Sequence, residues 1–285
     1  MRGRLFSHGD LLLLICSVLW GASFALTRGA VSHLPVMVVV GVRFLVAALL
    51  LFGVSPKSRW PFSRTEFVFG GAIGVAMFAS YGSQAASLAY LEPGQTAFIE
   101  ALYVPLVPLV QFALFPRTSK IPGPRMLSGV VLAFVGLLLI SGTTPHGLHY
   151  GLGIWFAIIA ALSSTVEIIL VSRFAVDIDP TKLGFIQCLT VVILSSGGLA
   201  RPGHLPILLP EGIAMIALLG VFSAFLQPAM NYAMKTVSAT RSTILFASEP
   251  IWAAVSGYFM GEVFTAPQAV GATLIILSVL LSGRE

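Results

Sequence analysis

Charge is the scarcest resource of this sequence. Asp, Glu, Lys and Arg make up 9% of its 285 residues, while 57% are hydrophobic; an ordinary soluble domain carries roughly 25% charged residues. That composition excludes a water-soluble fold of this size. Cysteine is nearly absent as well. Cys16 and Cys188 both fall in apolar runs and form no CxxC or metal-type pair, so they read as small packing residues and leave the redox compartment open. The five His residues, His8, His33, His146, His149 and His204, sit at the ends of apolar runs or between them, and no HExxH, nucleophile elbow or paired-Asp motif lies within a run. No metal, cofactor or intramembrane catalytic centre is expected. Ten spans of about 20 residues would use about 200 of the chain, leaving some 85 for ends and loops. No room remains for a nucleotide-binding module, which excludes ATP-driven pumping within this polypeptide and leaves a channel or a carrier.

Apolar runs fall at about 11–31, 36–53, 67–89, 94–115, 126–142, 151–172, 181–199, 211–233, 240–260 and 267–283, separated by Gly, Pro and basic clusters. The expected fold is all-α and integral to the membrane, with ten transmembrane helices. The first run, behind Arg2 and Arg4, imitates a signal peptide, but it is about 20 residues long and lacks a clear A-x-A site. With the amino terminus inside, Arg2, Arg4, Lys57, Arg59, Arg64, Arg117, Lys120, Arg125, Arg173, Lys182, Lys235, Arg241 and Arg284 are all cytoplasmic, against Arg28 and Arg201 outside. This asymmetry puts both termini in the cytoplasm. The net charge of +5 thus reports topology; the expected partners are a lipid bilayer and a small-molecule substrate, with no nucleic acid.

The two halves resemble one another at an offset of about 145 residues. Residues 97–105, AFIEALYVP, lie over 242–250, STILFASEP; Pro35 lies over Pro180, and Ser141-Gly142 over Ser282-Gly283. The domains are therefore read as 1–145 and 146–285. Five spans per half is an odd number, so the halves are expected to be inverted repeats, the architecture of carriers that alternate access around a midplane site.

Trp20-Gly21-Ala22-Ser23-Phe24 in span one, Arg43-Phe44 in span two, Ala89-Tyr90 through Ala97 to Pro105 across spans three and four, and Glu249-Pro250 through Gly261-Glu262 after span nine resemble the EamA-type members of the drug/metabolite transporter superfamily. The resemblance runs over essentially the whole chain. It implies two five-helix repeats forming a carrier in the inner (plasma) membrane that exports small metabolites, amino acids or drugs. Bacterial exporters of aromatic amino acids are the subgroup it resembles most. The acid of the Glu249-Pro250 pair is not repeated in the first half, where Val104 precedes Pro105 and Glu100 sits five residues earlier.

Four ionisable groups lie inside spans: Arg43, Glu100, Glu167 and Glu249. Each would cost about 3 kcal/mol or more at the bilayer centre unless paired or facing a water-filled cavity. Depth counts of about 10 Å and 9 Å from the outer ends of their spans allow Arg43 to pair with Glu100. Glu249 falls roughly 15 Å along span nine, near the midplane, with Trp20 and Tyr103 at similar depth. Glu167 counts out close to the cytoplasmic interface, where snorkelling or a pair with Arg173 explains it. Two polar stripes recur at helical spacing, Ser80, Gln84 and Ser87 on span three and Ser223, Gln227 and Asn231 on span eight. They read either as interhelical hydrogen bonds or as pathway lining, with Gln84 toward the outer mouth and Asn231 toward the inner.

Among aromatics, Tyr90, Trp60 and Tyr150 fall at span ends as belt residues, whereas Trp20, Tyr81 and Tyr103 lie deeper and need a partner or a cavity. The substrate-binding set expected from all this is Trp20, Tyr81, Gln84, Tyr103, Gln227, Asn231 and Glu249. Aromatic walls suit the side chain of an aromatic or other neutral amino acid and Glu249 its ammonium. A quaternary-amine exporter and a nucleotide-sugar carrier are the alternatives, the second disfavoured because phosphate calls for buried basic residues and only Arg43 is deep in a span. A channel remains the other class. Pro105, Pro108, Pro228 and Pro250 mark spans four, eight and nine as the ones to bend. Gly70 to Gly74 and Gly257 to Gly261 are small-xxx-small patterns whose default use is packing within a monomer, a dimer being the second.

Overall fold

The computed structural model describes residues 7–54, 61–116, 123–141, 148–199 and 210–282. It is all-helical, with α1 (His8–Val31), α2 (Val36–Val54), α3 (Arg64–Leu88), α4 (Pro93–Glu100), α5 (Tyr103–Leu114), α6 (Pro124–Ser141), α7 (Leu148–Phe174), α8 (Pro180–Leu199), α9 (Pro210–Ala233), α10 (Ala239–Phe246), α11 (Glu249–Phe259) and α12 (Ala266–Ser282). Arg2, Arg4, Lys57, Arg59, Trp60, Arg117, Lys120, His146, Arg201, His204 and Arg284 lie outside the described residues, as do the side chains of His149 and Tyr150. The ten apolar runs map onto these helices to within a few residues. His8–Val31, Val36–Val54, Pro93–Leu114, Gly151–Phe174 and Pro210–Ala233 are long and apolar enough to cross a membrane, and Leu127–Gly136 and Ala266–Ser278 are shorter apolar helices.

Spans four and nine are each two helices, and proline is the cause. Pro105 has no N–H to give to the Ala101 carbonyl, so α4 closes at Ala101, Val104 makes a tight bond to Ala101 instead (3.0 Å), and the regular ladder resumes with Leu106 to Leu102 (3.2 Å). Pro250 likewise leaves the Phe246 carbonyl free; the Ser17 hydroxyl of α1 donates to it (3.4 Å). Pro228, expected to bend span eight, lies inside an α9 that stays helical throughout. Helix starts follow ordinary capping rules. Ser7 with Asp10 and Ser63 with Glu66 form capping boxes at α1 and α3, and Ser238 caps α10.

Packing exchanges in pairs when the halves are swapped, so that α1 corresponds to α7, α2 to α8, α3 to α9, α4–α5 to α10–α11 and α6 to α12. Thus α3 packs on α7 as α9 packs on α1, α3 on α8 as α9 on α2, α11 on α1 as α5 on α7, and α4 on α11 as α10 on α5. The α2–α8 and α6–α12 contacts are their own counterparts. Small residues let these backbones approach: a Cβ on Gly74 would sit 2.6 Å from Thr190, and one on Gly70 2.8 Å from Ile186, both on α8. The Gly257–Gly261 pattern serves otherwise, with Gly257 against Glu262 and Gly261 at φ +91° in the turn after α11. Outward-facing Leu49, Phe52, Trp155, Phe259 and Val263 remain exposed, as lipid contact requires.

The bundle has two faces. On one, Asp10 at the start of α1 takes a bidentate bond from Arg241 of α10 (2.8 and 2.7 Å), and Lys182 approaches Glu66 (3.4 Å). On the other, Arg28 meets Glu92 (3.2 Å), and Glu262 reaches the start of α4. These are called the Asp10 face and the Glu262 face.

Candidate functional site

The four short helices place their broken ends together in the middle of the bundle. Glu100 ends α4, Tyr103 begins α5, Phe246 ends α10 and Glu249 begins α11, and all four line one cavity. Trp20 of α1, Ser80, Tyr81 and Gln84 of α3, Ser164, Glu167 and Ile168 of α7, and Met230 of α9 complete the wall. The space inside is about 40 Å³, below the roughly 300–1,000 Å³ of small-molecule sites, so a substrate needs the surrounding helices to part.

Two hydrogen-bond systems hold the wall in shape. Tyr103 donates to Glu249 (Oη to Oε2, 3.0 Å), and Gln84 (2.9 Å) and Ser164 (3.1 Å) donate to the two oxygens of Glu100. Ser164 also meets Ser80 (2.7 Å). Opposite, the Tyr81 hydroxyl accepts from Trp20 Nε1 (2.8 Å) and Gln227 Nε2 (3.2 Å), and the Trp20 ring stands edge-on to Phe246 at 5.0 Å. Glu100, Glu167 and Glu249 all line the cavity, and among the described residues no Lys, Arg or His does. Three carboxylates in one enclosed space demand protons or a bound cation to neutralise them.

Of the expected binding set, Trp20, Tyr81, Gln84, Tyr103 and Glu249 come together here. Gln227 stands behind, holding Tyr81. Asn231 does not line the cavity: its amide exchanges two bonds with Gln187 of α8 (3.0 and 3.3 Å) and donates to the Pro180 carbonyl, which makes it an interhelical clasp. The expected Arg43–Glu100 pair is also not formed. Arg43 on α2 is directed to α9, donating Nε to Ser223 (2.7 Å), with its guanidinium 4.7 Å from the Tyr81 ring centroid and 5.2 Å from that of Phe44. Glu100 sits instead between α3 and α7, and equal depth did not make neighbours of the two. Nη2 of Arg43 is buried with no hydrogen-bond partner among the described residues.

Glu167, expected near the cytoplasmic interface, stands in the cavity wall. Arg173, its expected partner, stacks on Phe115 (4.6 Å). Because α7 runs on to Phe174, Glu167 lies about 10 Å inside that end, and a count from the other end misplaces it. The signal that could have found it is the i, i+3 polar pair Ser164 and Glu167 on one face of α7.

An all-helical membrane protein with a carboxylate-lined cavity where four broken helices meet is the architecture of a small-molecule transporter. The EamA-like transporter family matches residues 7–142 and again 151–284, and the chain belongs to it. Two proteins of Archaeoglobus fulgidus, each described as an uncharacterized transporter, are similar: one is 26% identical over 96% of this chain and 85% of its own length, the other 25% over 99% and 98%. A probable amino-acid metabolite efflux pump of Salmonella typhimurium is 23% identical over 54% of this chain and 49% of its own. A solved crystal structure shares the fold over 97% of both chains, with TM-score 0.71 at 18% identity.

Proposed function

We propose that this chain is a secondary carrier that exports small ammonium-bearing metabolites, aromatic or other neutral amino acids first, by alternating access around the central cavity. The observation that carries the reading is Glu249, a carboxylate held by Tyr103 at the start of a broken helix and faced by Trp20, Tyr81 and Phe246. The acid suits an ammonium and the rings an apolar side chain. The pairwise exchange of helix contacts between halves supports an inverted repeat, since two alike halves can trade conformations. The asymmetry of Lys and Arg supports insertion in the plasma membrane with both termini cytoplasmic. The efflux pump of Salmonella typhimurium is in keeping with an amino-acid substrate.

One observation favours a second substrate class within the same site. Among the described residues three carboxylates and no basic side chain line the cavity, which suits a ligand with an ammonium and no carboxylate, a primary or quaternary amine. The same feature disfavours nucleotide sugars, whose phosphates call for Arg or Lys.

Thermal-shift binding of the purified protein to phenylalanine, phenethylamine and a quaternary ammonium salt tests both readings. Wild type is expected to be stabilised by at least one of them. Glu249→Gln, which keeps shape and loses charge, is expected to weaken that binding by about tenfold or more. Equal affinity in a normally folded Glu249→Gln protein would remove Glu249 from the site.

A further inference from the structure

Helix α4 lacks a cap of its own. The side chain of its N-cap residue Glu92 is turned to Arg28 and makes no capping bond, Pro93 follows, and the amides of Gly94 and Gln95 would be orphan donors. They donate instead to a residue of the other half: Gly94 N to Glu262 Oε2 (2.9 Å) and Gln95 N to Glu262 Oε1 (3.2 Å). The corresponding helix of the second half, α10, is capped locally by Ser238 and needs no such help.

Space has been cleared for this carboxylate. A Cβ on Gly257 would lie 2.0 Å from Glu262 Oε2, and a Cβ on Gly94 would lie 2.9 Å from Oε1 and 2.6 Å from Phe264 Cζ. Glu262 is 5% exposed although it sits in the link between α11 and α12. It therefore ties the Glu262-face ends of α4 and α11, whose other ends carry the cavity acids Glu100 and Glu249.

Between tie and cavity lies an apolar layer of Phe24, Leu88, Ala97 and Ala253, all buried. Each is one helical turn from a cavity residue, on the side of the Glu262 face: Phe24 from Trp20, Leu88 from Gln84, Ala97 from Glu100 and Ala253 from Glu249.

We infer that Glu262 is a positioning residue of the transport cycle, a latch that holds α4 to α11 and keeps the Glu262 face closed until the two helices separate. The inference rests on the alternating-access reading and is independent of which substrate is carried. Its geometry also gives a sign to its pH dependence. Burial pushes the Glu262 carboxyl up to about 7, against the bonds from Gly94 and Gln95; the charged groups facing it are Glu92, which also raises it, and Arg28, which lowers it. Once the latch opens to water the carboxyl returns toward about 4.3. A group whose pKa is higher in the closed state stabilises that state at low pH and loses the contribution as pH rises through the raised value. Opening of this face is thus favoured as pH climbs through about 7.

The test is Ala97→Cys in a chain whose own Cys16 and Cys188 are replaced, labelled in intact cells by a membrane-impermeant maleimide. Slow labelling is expected in the parent. Glu262→Ala, which strands both amides, is expected to raise the rate about tenfold, the scale of losing bonds to a charged acceptor. Gly94→Ala, which pushes the carboxylate from the other side, is expected to raise it too, so the latch remains testable if one variant fails to fold. The rise in rate from about pH 6 to about pH 8, taken relative to Glu262→Gln so that the reagent's own pH dependence cancels, is expected only when residue 262 can ionise. Unchanged labelling in Glu262→Ala and Gly94→Ala, or a rise with pH no steeper in the parent than in Glu262→Gln, would overturn the latch. Because no substrate enters this measurement, that result would leave the cavity reading to stand or fall on Glu249.

Discussion

Arg43 is stabilised by aromatic rings rather than by an acid. Its guanidinium stands over Tyr81 and Phe44, an arrangement worth about 2 kcal/mol when desolvated, and its single side-chain bond goes to Ser223. Depth along a helix was legible in the sequence; rotation about it was not, and a pair needs both. The same missing coordinate explains Asn231, on a polar stripe yet turned to Gln187; Glu167 is the exception in depth, because α7 runs on to Phe174 past the end of its apolar run. Trp20, Tyr81, Gln84, Tyr103 and Glu249 were legible because a phenol, indole, amide or acid deep in a span must find a partner or a cavity, whichever way the helix is turned. A residue-scale prediction follows from the absent pair. Arg43→Met and Glu100→Gln should lower the apparent melting temperature independently, with losses in the double variant additive to within about 0.5 kcal/mol. A strong positive coupling would restore the pair.

At the scale of helices, the apolar runs foretold the spans, and the prolines foretold trouble in three of them. Where the structure goes further is in the kind of trouble. Pro105 and Pro250 cut their spans into separate helices, while Pro228 is accommodated inside α9 beside Gly184 of α8. The breaks are what bring Glu100, Tyr103, Phe246 and Glu249 to one place. Pro250 lies in the first turn of α11, where proline costs little, and Pro250→Ala would restore an N–H for the Phe246 carbonyl and so join α10 to α11. The variant is expected to transport at least about tenfold more slowly than wild type, since the junction must rearrange during the cycle. Wild-type transport in Pro250→Ala would mean that the break is not needed.

Over the whole molecule, the halves are alike in how their helices pack and unlike in how their central ends are dressed. Glu249 and Glu100 are offset by one turn in the repeat, α10 is capped from within and α4 from across, and the two faces are held by different chemistry: the Asp10–Arg241 bond on one and Glu262 on the amides of α4 on the other. The repeat was legible because it survives in the sequence around Pro105 and Pro250. The tie through Glu262 was not, since backbone amides leave no mark on a sequence beyond the glycine that makes room for their partner. On the reading proposed above, the cavity is exposed to one face at a time, which a channel's is not.

Counterflow in proteoliposomes tests that claim most directly. Vesicles carrying the wild-type protein and preloaded with unlabelled phenylalanine, or with phenethylamine, should transiently accumulate the labelled compound above its external concentration, because each outward passage returns the site for an inward one. Vesicles carrying Glu249→Gln should accumulate none. Labelled compound that only equilibrates in wild-type vesicles, or counterflow that persists undiminished in Glu249→Gln, would contradict a carrier working through this cavity.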